Sequence, residues 1–478
     1  MQRSSLFVLM TLLCGGAGAV ENPALTIYRA DSDALFENGT ASFGEGYAIV
    51  HETRALKLSG GRQSLVIDGL PATLDAEAIA LDLGAGSRVL AQRVLSTGEG
   101  GALAAHRGEK IKLGLRDGSF EGTLLGLDNG ALIVRDETAG PSSGQVVYVR
   151  DYDTLRFTQG SGLPGSTLQL TVDGKGGDVA ASLTYPTSGL GWRAAYSALL
   201  LEGNGCRMKL DALASIANRS GRDYPASMLK LVAGSPNIAR VGPQPVFKTA
   251  MAAAPAVASE ALPQQSSLGD YRSYTIGNAL DLPDASVTQV PLYAASEIDC
   301  QRRWTFESGG AWFPPKPNLQ PDFMSTSNGP VQSELRFTAA ENLPAGHLRV
   351  LTRDRDGRSE FIGESRIADT PKGRAVAVAL GVAFDLSANR ERTAFSVDKA
   401  AHAMNEGFRI TLTNTGETAR TITVREHPNR WRAWTLASSS QKPSKQTPDL
   451  LEFEVAVPAN GKATLDYAVK YSWMPKDE

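Results

Sequence analysis

The chain has 478 residues, 48 of them Lys or Arg and 51 Asp or Glu, for a formal net charge of −3. That balance excludes a protein held to nucleic acid by phosphate electrostatics, and it excludes a highly charged disordered chain. At roughly 150 residues per domain, the length predicts about three domains with cores of their own. The 48 Gly and 25 Pro are spread as turn punctuation and predict many short strands.

Residues 1–19 carry Arg3, an apolar run Leu6–Cys14 and the small-residue site Ala17-Gly18-Ala19, the pattern of a secretory signal peptide. The apolar run is shorter than the roughly 20 residues a bilayer needs, and so is the longest later candidate, 375–386. The expectation is export across the inner membrane to the periplasm, with no transmembrane segment in the mature chain. Leu13 stands where lipoprotein processing prefers a small residue, so lipidation of Cys14 is not expected. Cys206 and Cys300 then remain, and an even pair in an oxidising compartment favours a disulfide over two buried thiols.

A first β domain is expected over 20–104, with strands such as Tyr47–Val50 and Ser64–Ile67 separated by Gly60-Gly61 and Gly69-Leu70-Pro71. Over 105–160, Asp117-Gly118 and Asn129-Gly130 between short apolar runs signal consecutive hairpins, expected to curl into a small SH3-like or Sm-like barrel. A central β domain is expected in two parts, 161–241 and 270–380. Between them, 242–269 is rich in Ala, Pro, Gln and Ser and reads as a flexible linker. Ser308–Ser333, with five prolines plus Trp312, Phe313 and Phe323, reads as an ordered loop. The segment 381–473 holds the clearest alternating strands, among them Phe408–Asn414 and Leu451–Val457, and reads as a β-sandwich of immunoglobulin-like type. Asn218 and Asn414 each end a strand before a Gly turn, which reads equally as a common turn or as a duplicated unit. The fold class is therefore all-β and multi-domain, with no long helix.

No constellation carries chemistry. Gly140-Pro141-Ser142-Ser143-Gly144 fits G-x-S-x-G but lies in a polar loop, without the strand-to-helix turn a nucleophile elbow needs. The histidines at 51, 106, 347, 402 and 427 have no ligand spacing, and Ala55 stands where H-E-x-x-H would place its second His. Asp354 to Gly357 reads as a turn, because half the ligands of a calcium loop are missing. Neither a catalytic set, a metal nor a cofactor is expected. The densest aromatic and basic cluster is His427–Trp434. Arg and Trp are enriched where interfaces concentrate binding energy, so Arg430, Trp431, Arg432 and Trp434 are the candidate partner-binding residues.

Tyr185, Trp192 and Tyr196 in the spacing Y-x6-W-x3-Y, Asn218-Arg219-Ser220-Gly221 followed by Leu229–Gly234, and the late segments Gly381–Leu386 and Leu465–Trp473 together resemble one family. It is the bacterial domain-of-unknown-function 4139 family, related to mucoidy-inhibitor-A-like proteins. The resemblance covers roughly 166–473, and 40–95 resembles more loosely the family's usual N-terminal companion. It implies an exported, β-rich envelope protein and supplies no catalytic residues. Many relatives place a helical coiled-coil hairpin where this chain has the hairpins of 106–157. The expected function is that of a non-catalytic envelope interaction or scaffold module, with an envelope protein or a glycan as partner and no nucleic acid. The alternative is a periplasmic hydrolase of wall glycan or peptide, using carboxylates from distant loops.

Overall fold

A computed structural model describes residues 22–37, 44–95, 107–116, 118–128, 130–136, 144–157, 165–203, 205–234 and 262–477. The signal-like segment 1–19, His106, Asp117, Asn129, residues 140–143 and the stretch 242–261 lie outside them. The chain divides into two units that interleave in sequence: Met1–Arg193 with Ser215–Val290, and Ala194–Ala214 with Pro291–Glu478.

Nearly everything described is strand, and the one α-helix among the described residues is Asp33–Phe36. No helix among them is long and apolar enough to cross a membrane.

In the first unit, Ala24–Tyr28 lies between Tyr224–Ala233, to which it is parallel, and Ala48–Leu58, to which it is antiparallel. Gly177–Thr187 continues that sheet. A separate three-stranded sheet places Ser166–Gly174 between Gly61–Leu70 and Ser87–Leu95. Its Leu168, Leu170 and Val172 are buried while Thr167, Gln169 and Thr171 are half-exposed, the alternation of a sheet with one covered face. Trp192 is buried here and donates from Nε1 to the Val232 carbonyl at 3.0 Å.

Two expectations change in this unit. The segment 105–160 forms a five-stranded antiparallel sheet ordered Thr154–Phe157, Lys110–Leu115, Gly118–Asp128, Ala131–Asp136 and Val146–Val149, around Ile111, Leu113, Leu124, Leu132 and Val134. It is not a closed barrel. The two edge strands are only four residues long and share no ladder among the described residues. The expected linker also ends early, because Gln264–Leu268 is a strand paired with Tyr271–Thr275. All five of its residues are exposed, so a polar composition suits this sheet edge.

The second unit contains a β-sandwich. One layer carries the C-terminal half of Ala375–Asp398, then Ala403–Asn414, Gly461–Ser472 and Trp434–Ser439. The other carries the end of Ser286–Ser308, then Arg420–Glu426, Leu450–Val457 and Lys445–Thr447. Phe306, Ile422, Val424 and Phe453 from one layer and Phe408, Ile410, Leu412 and Leu465 from the other share its core. The strand Thr326–Thr338 begins inside the expected loop Ser308–Ser333. Pro330 stands beside a slip in the ladder between Pro330 and Gln332, the kind of place where a strand tolerates proline. Cys206 and Cys300 form a disulfide with their Cα atoms 5.0 Å apart.

The resemblance between the two Asn turns holds in three dimensions. Asn218 Nδ2 donates to the carbonyls of Arg222 and Leu282, and its Oδ1 accepts from the Ser220 N–H. Asn414 Nδ2 donates to the carbonyls of Thr418 and Pro458, and its Oδ1 accepts from the Gly416 N–H. Six residues after each Asn the chain pairs with the end of the downstream strand that the Asn holds: Tyr224 faces Leu282, and Arg420 faces Val457, whose carbonyl Asn414 Nδ2 also reaches at 3.5 Å.

Candidate functional site

Strand alternation aims every second residue of the sandwich strands at its core, and four strands carry polar groups in that inward row. In Ala403–Asn414 the row reads Met404, Glu406, Phe408, Ile410 and Leu412, with Glu406 buried. In Ala375–Asp398 it runs Leu386, Ala388, Arg390, and in Arg420–Glu426 it runs Ile422, Val424, Glu426. Gly461–Ser472 contributes Tyr467 and Tyr471.

These groups bond to one another, but Glu426 Oε1 is left buried without a hydrogen-bond partner among the described residues. Arg390 Nε donates to Glu426 Oε2 at 2.8 Å and Nη1 to the Met324 carbonyl at 2.8 Å. The Tyr467 hydroxyl donates to the same Glu426 oxygen. The Arg390 guanidinium also lies 3.5 Å above the Phe408 ring. Burial raises the Glu426 carboxyl above its ordinary value despite Arg390 and Tyr467. Burial and the Glu426 charge push the Tyr467 phenol far up.

Arg430 has a different task. Its Nε and Nη2 hold Glu406 Oε1 at 2.9 and 2.8 Å. Nη1 donates to the carbonyls of Asn318 and Gln320 and Nη2 to those of Pro321 and Phe323, all in the segment 309–325, at 2.7 to 3.3 Å. Asn429 Nδ2 donates to the Gly310 and Trp312 carbonyls, and the Asn318 N–H donates to the Arg430 carbonyl. Gly309, at φ +85°, admits no Cβ, which would stand 2.3 Å from Asn429 Oδ1. His427 bridges Glu307 and the Asp449 carbonyl. An irregular, proline-rich loop is thereby fixed from beneath. It presents Trp312, 49% exposed, edge-on to Phe323 at 6.3 Å.

The pocket beneath this loop, lined by Gly309, Phe323, Arg390, Glu406, Asn429 and Tyr467 among others, has room for no more than about one water molecule. Glu406 and Glu426 are both held by guanidinium groups. Among the described residues no group of three or more His, Cys, Asp or Glu is placed to hold a metal.

The four candidate partner-binding residues separate. Arg430 is 1% and Trp431 2% exposed, so both are core residues; burying them satisfies the loop and fills the sandwich. Arg432 is exposed over the Trp431 ring and pairs with Asp477 at 3.6 Å, while Trp434 is half-buried and donates to the Pro448 carbonyl. Sequence reasoning passed over Arg390, Glu406 and Glu426. The signal that finds them is parity, since each stands where strand alternation calls for an apolar side chain.

The first unit holds a similar buried group. Arg222 grips Glu52 through both nitrogens, at 3.0 and 2.7 Å, and also donates to the Tyr185 hydroxyl at 2.6 Å. Arg54 adds a third bond to Glu52 at 3.1 Å. Burial works against the Glu52 charge, but Arg222 and Arg54 outweigh it and hold the carboxyl below its ordinary value.

No curated protein matches the chain with significant similarity. The sequence profile of a family described as a domain of unknown function, DUF4139, matches residues 181–475, which include the Tyr185–Trp192–Tyr196 spacing, both Asn turns and the whole sandwich. With well over half its length matched, the chain belongs to the DUF4139 family.

Proposed function

We propose that the protein is exported and acts at the cell envelope as a non-catalytic interaction or scaffold module, with the loop 310–324 as its contact surface. The observation that carries this reading is the clamp: Arg430 and Asn429 spend their donors on carbonyls of the loop, which holds Trp312 at the surface. A loop ordered in advance loses little entropy on binding, and an exposed indole offers large contact area to a protein surface or a sugar ring. Export is supported by the signal-like pattern of residues 1–19, and the Cys206–Cys300 bond suits an oxidising compartment.

The test is crosslinking of the tagged mature protein in cells, followed by affinity capture and mass spectrometry. Trp312→Ala should abolish repeated capture of one envelope component while leaving the melting temperature unchanged. Capture that survives Trp312→Ala but is lost with Arg432→Ala moves the surface to the exposed end of the 430–434 cluster. Release of sugar or peptide from wall fragments by the purified protein overturns the non-catalytic reading.

A further inference from the structure

Arg420 and Glu426 stand at opposite ends of one strand, and the end away from the loop carries a second basic cluster. The strands Ser286–Ser308 and Arg420–Glu426 run parallel with Trp304 opposite Ile422, so two residues earlier Arg302 comes beside Arg420. Both guanidinium groups lie on the Trp304 ring, with Cζ 5.6 Å (Arg302) and 4.5 Å (Arg420) from its centroid. Neither has a carboxylate within ion-pair distance among the described residues, and Arg302 finds only the Ser333 hydroxyl at 3.3 Å. Other arginines of this sandwich are matched: Arg303 with Glu454, Arg409 with Asp466, Arg425 with Glu307. Arg302 is exposed, and partial desolvation together with the neighbouring Arg420 charge works against its own charge.

Two like charges held together over one indole, with no counter-charge from the chain, call for an anion from outside. We propose that Arg302, Arg420 and Trp304 form a binding site for a phosphate group, free or as a lipid headgroup. Phosphate suits the pair better than carboxylate does. A carboxylate presents two oxygens and fills one guanidinium fork, whereas phosphate has oxygens enough to bridge two forks and carries charge enough to offset both. The site does not depend on the Trp312 loop, so the two proposals stand or fall separately.

The test uses the full mature chain and compares thermal unfolding in sodium phosphate with unfolding in sodium chloride at equal ionic strength. The expected result is a saturable rise in melting temperature that is specific to phosphate and lost in Arg302→Gln/Arg420→Gln. Without phosphate, Arg420→Gln should melt at or above the wild type, because the mutual repulsion is removed. A merely structural stacking role would lower the melting temperature of that variant in both salts. If the double variant does not fold, the phosphate-dependent change in Trp304 fluorescence, taken as the difference between wild type and Trp304→Phe, gives the same reading. No phosphate effect beyond that of chloride, or an undiminished effect in the double variant, overturns the proposal. Co-sedimentation with phosphatidylglycerol vesicles but not phosphatidylcholine vesicles, competed by inorganic phosphate, would assign the ligand to a lipid headgroup. A phosphate effect without co-sedimentation would assign it to a soluble phosphate.

Discussion

Glu52 and Glu426 are both buried beside an arginine and a tyrosine, yet their carboxyls shift in opposite directions. Glu52 receives both nitrogens of Arg222 and a third donor from Arg54, and these outweigh its burial. Glu426 is fully buried and takes both its donors on Oε2 alone, so the cost of burial prevails. The consequences for stability have opposite signs. The contribution of Glu52 is complete above the ordinary glutamate value of 4.5 and is lost as pH falls through its lowered folded value. That of Glu426 is complete below 4.5 and is lost as pH rises through its raised folded value. Glu52→Gln should therefore destabilise the protein at neutral pH by about 3 kcal/mol, as breaking a buried ion pair does. The variant should also show a shallower loss of stability in acid, read from melting temperatures across a pH series. An unchanged acid limb would place the titration elsewhere. None of this was legible from residue identity. A lone Glu or Arg in an alternating strand reads as solvent-facing until its parity is checked against its neighbours.

The strands were read well from period-two patterning, because apolar alternation forces a half-buried strand whatever its partners. Phe408–Asn414 lies within Ala403–Asn414, and Leu451–Val457 within Leu450–Val457. The pattern is silent where a strand has no face to bury, as at Gln264–Leu268, or where a proline sits on a bulge, as at Pro330. At this scale the two Asn turns act as equivalent parts. Each Asn ties the end of one strand to the turn that follows and to the end of a strand that arrives much later in sequence. Asn218→Ala and Asn414→Ala should each cost about 1–3 kcal/mol, since each removes a buried amide and the strand-end hydrogen bonds it makes. The Asp variants, which keep the acceptor and lose the Nδ2 donor, should be no better. Urea unfolding checks both, and a neutral result at one site would end the equivalence.

The interleaving of the two units was the least legible feature, because a sequence is read as successive blocks and nothing in local pattern reveals where a hairpin will dock. The second unit takes Ala194–Ala214 from inside the stretch that makes the first, and Cys206–Cys300 bonds that segment to the strand Ser286–Ser308. The bridge spans 94 residues, and in the chain-entropy model a loop of that size is worth about 4.7 kcal/mol. A reductant should therefore lower the melting temperature of the wild type, while Cys206→Ser/Cys300→Ser should start low and ignore the reductant. An unaltered wild type would mean that the hairpin is held by its ladder alone.

The interleaving also makes the two units mutual hostages. Were the backbone severed anywhere between Gly234 and Leu262, neither product would own a whole unit: each would carry part of both, and the cystine would still join one product to the other. The covalent path through that segment can thus be broken without dividing the protein, and either half made alone would have two unfinished cores.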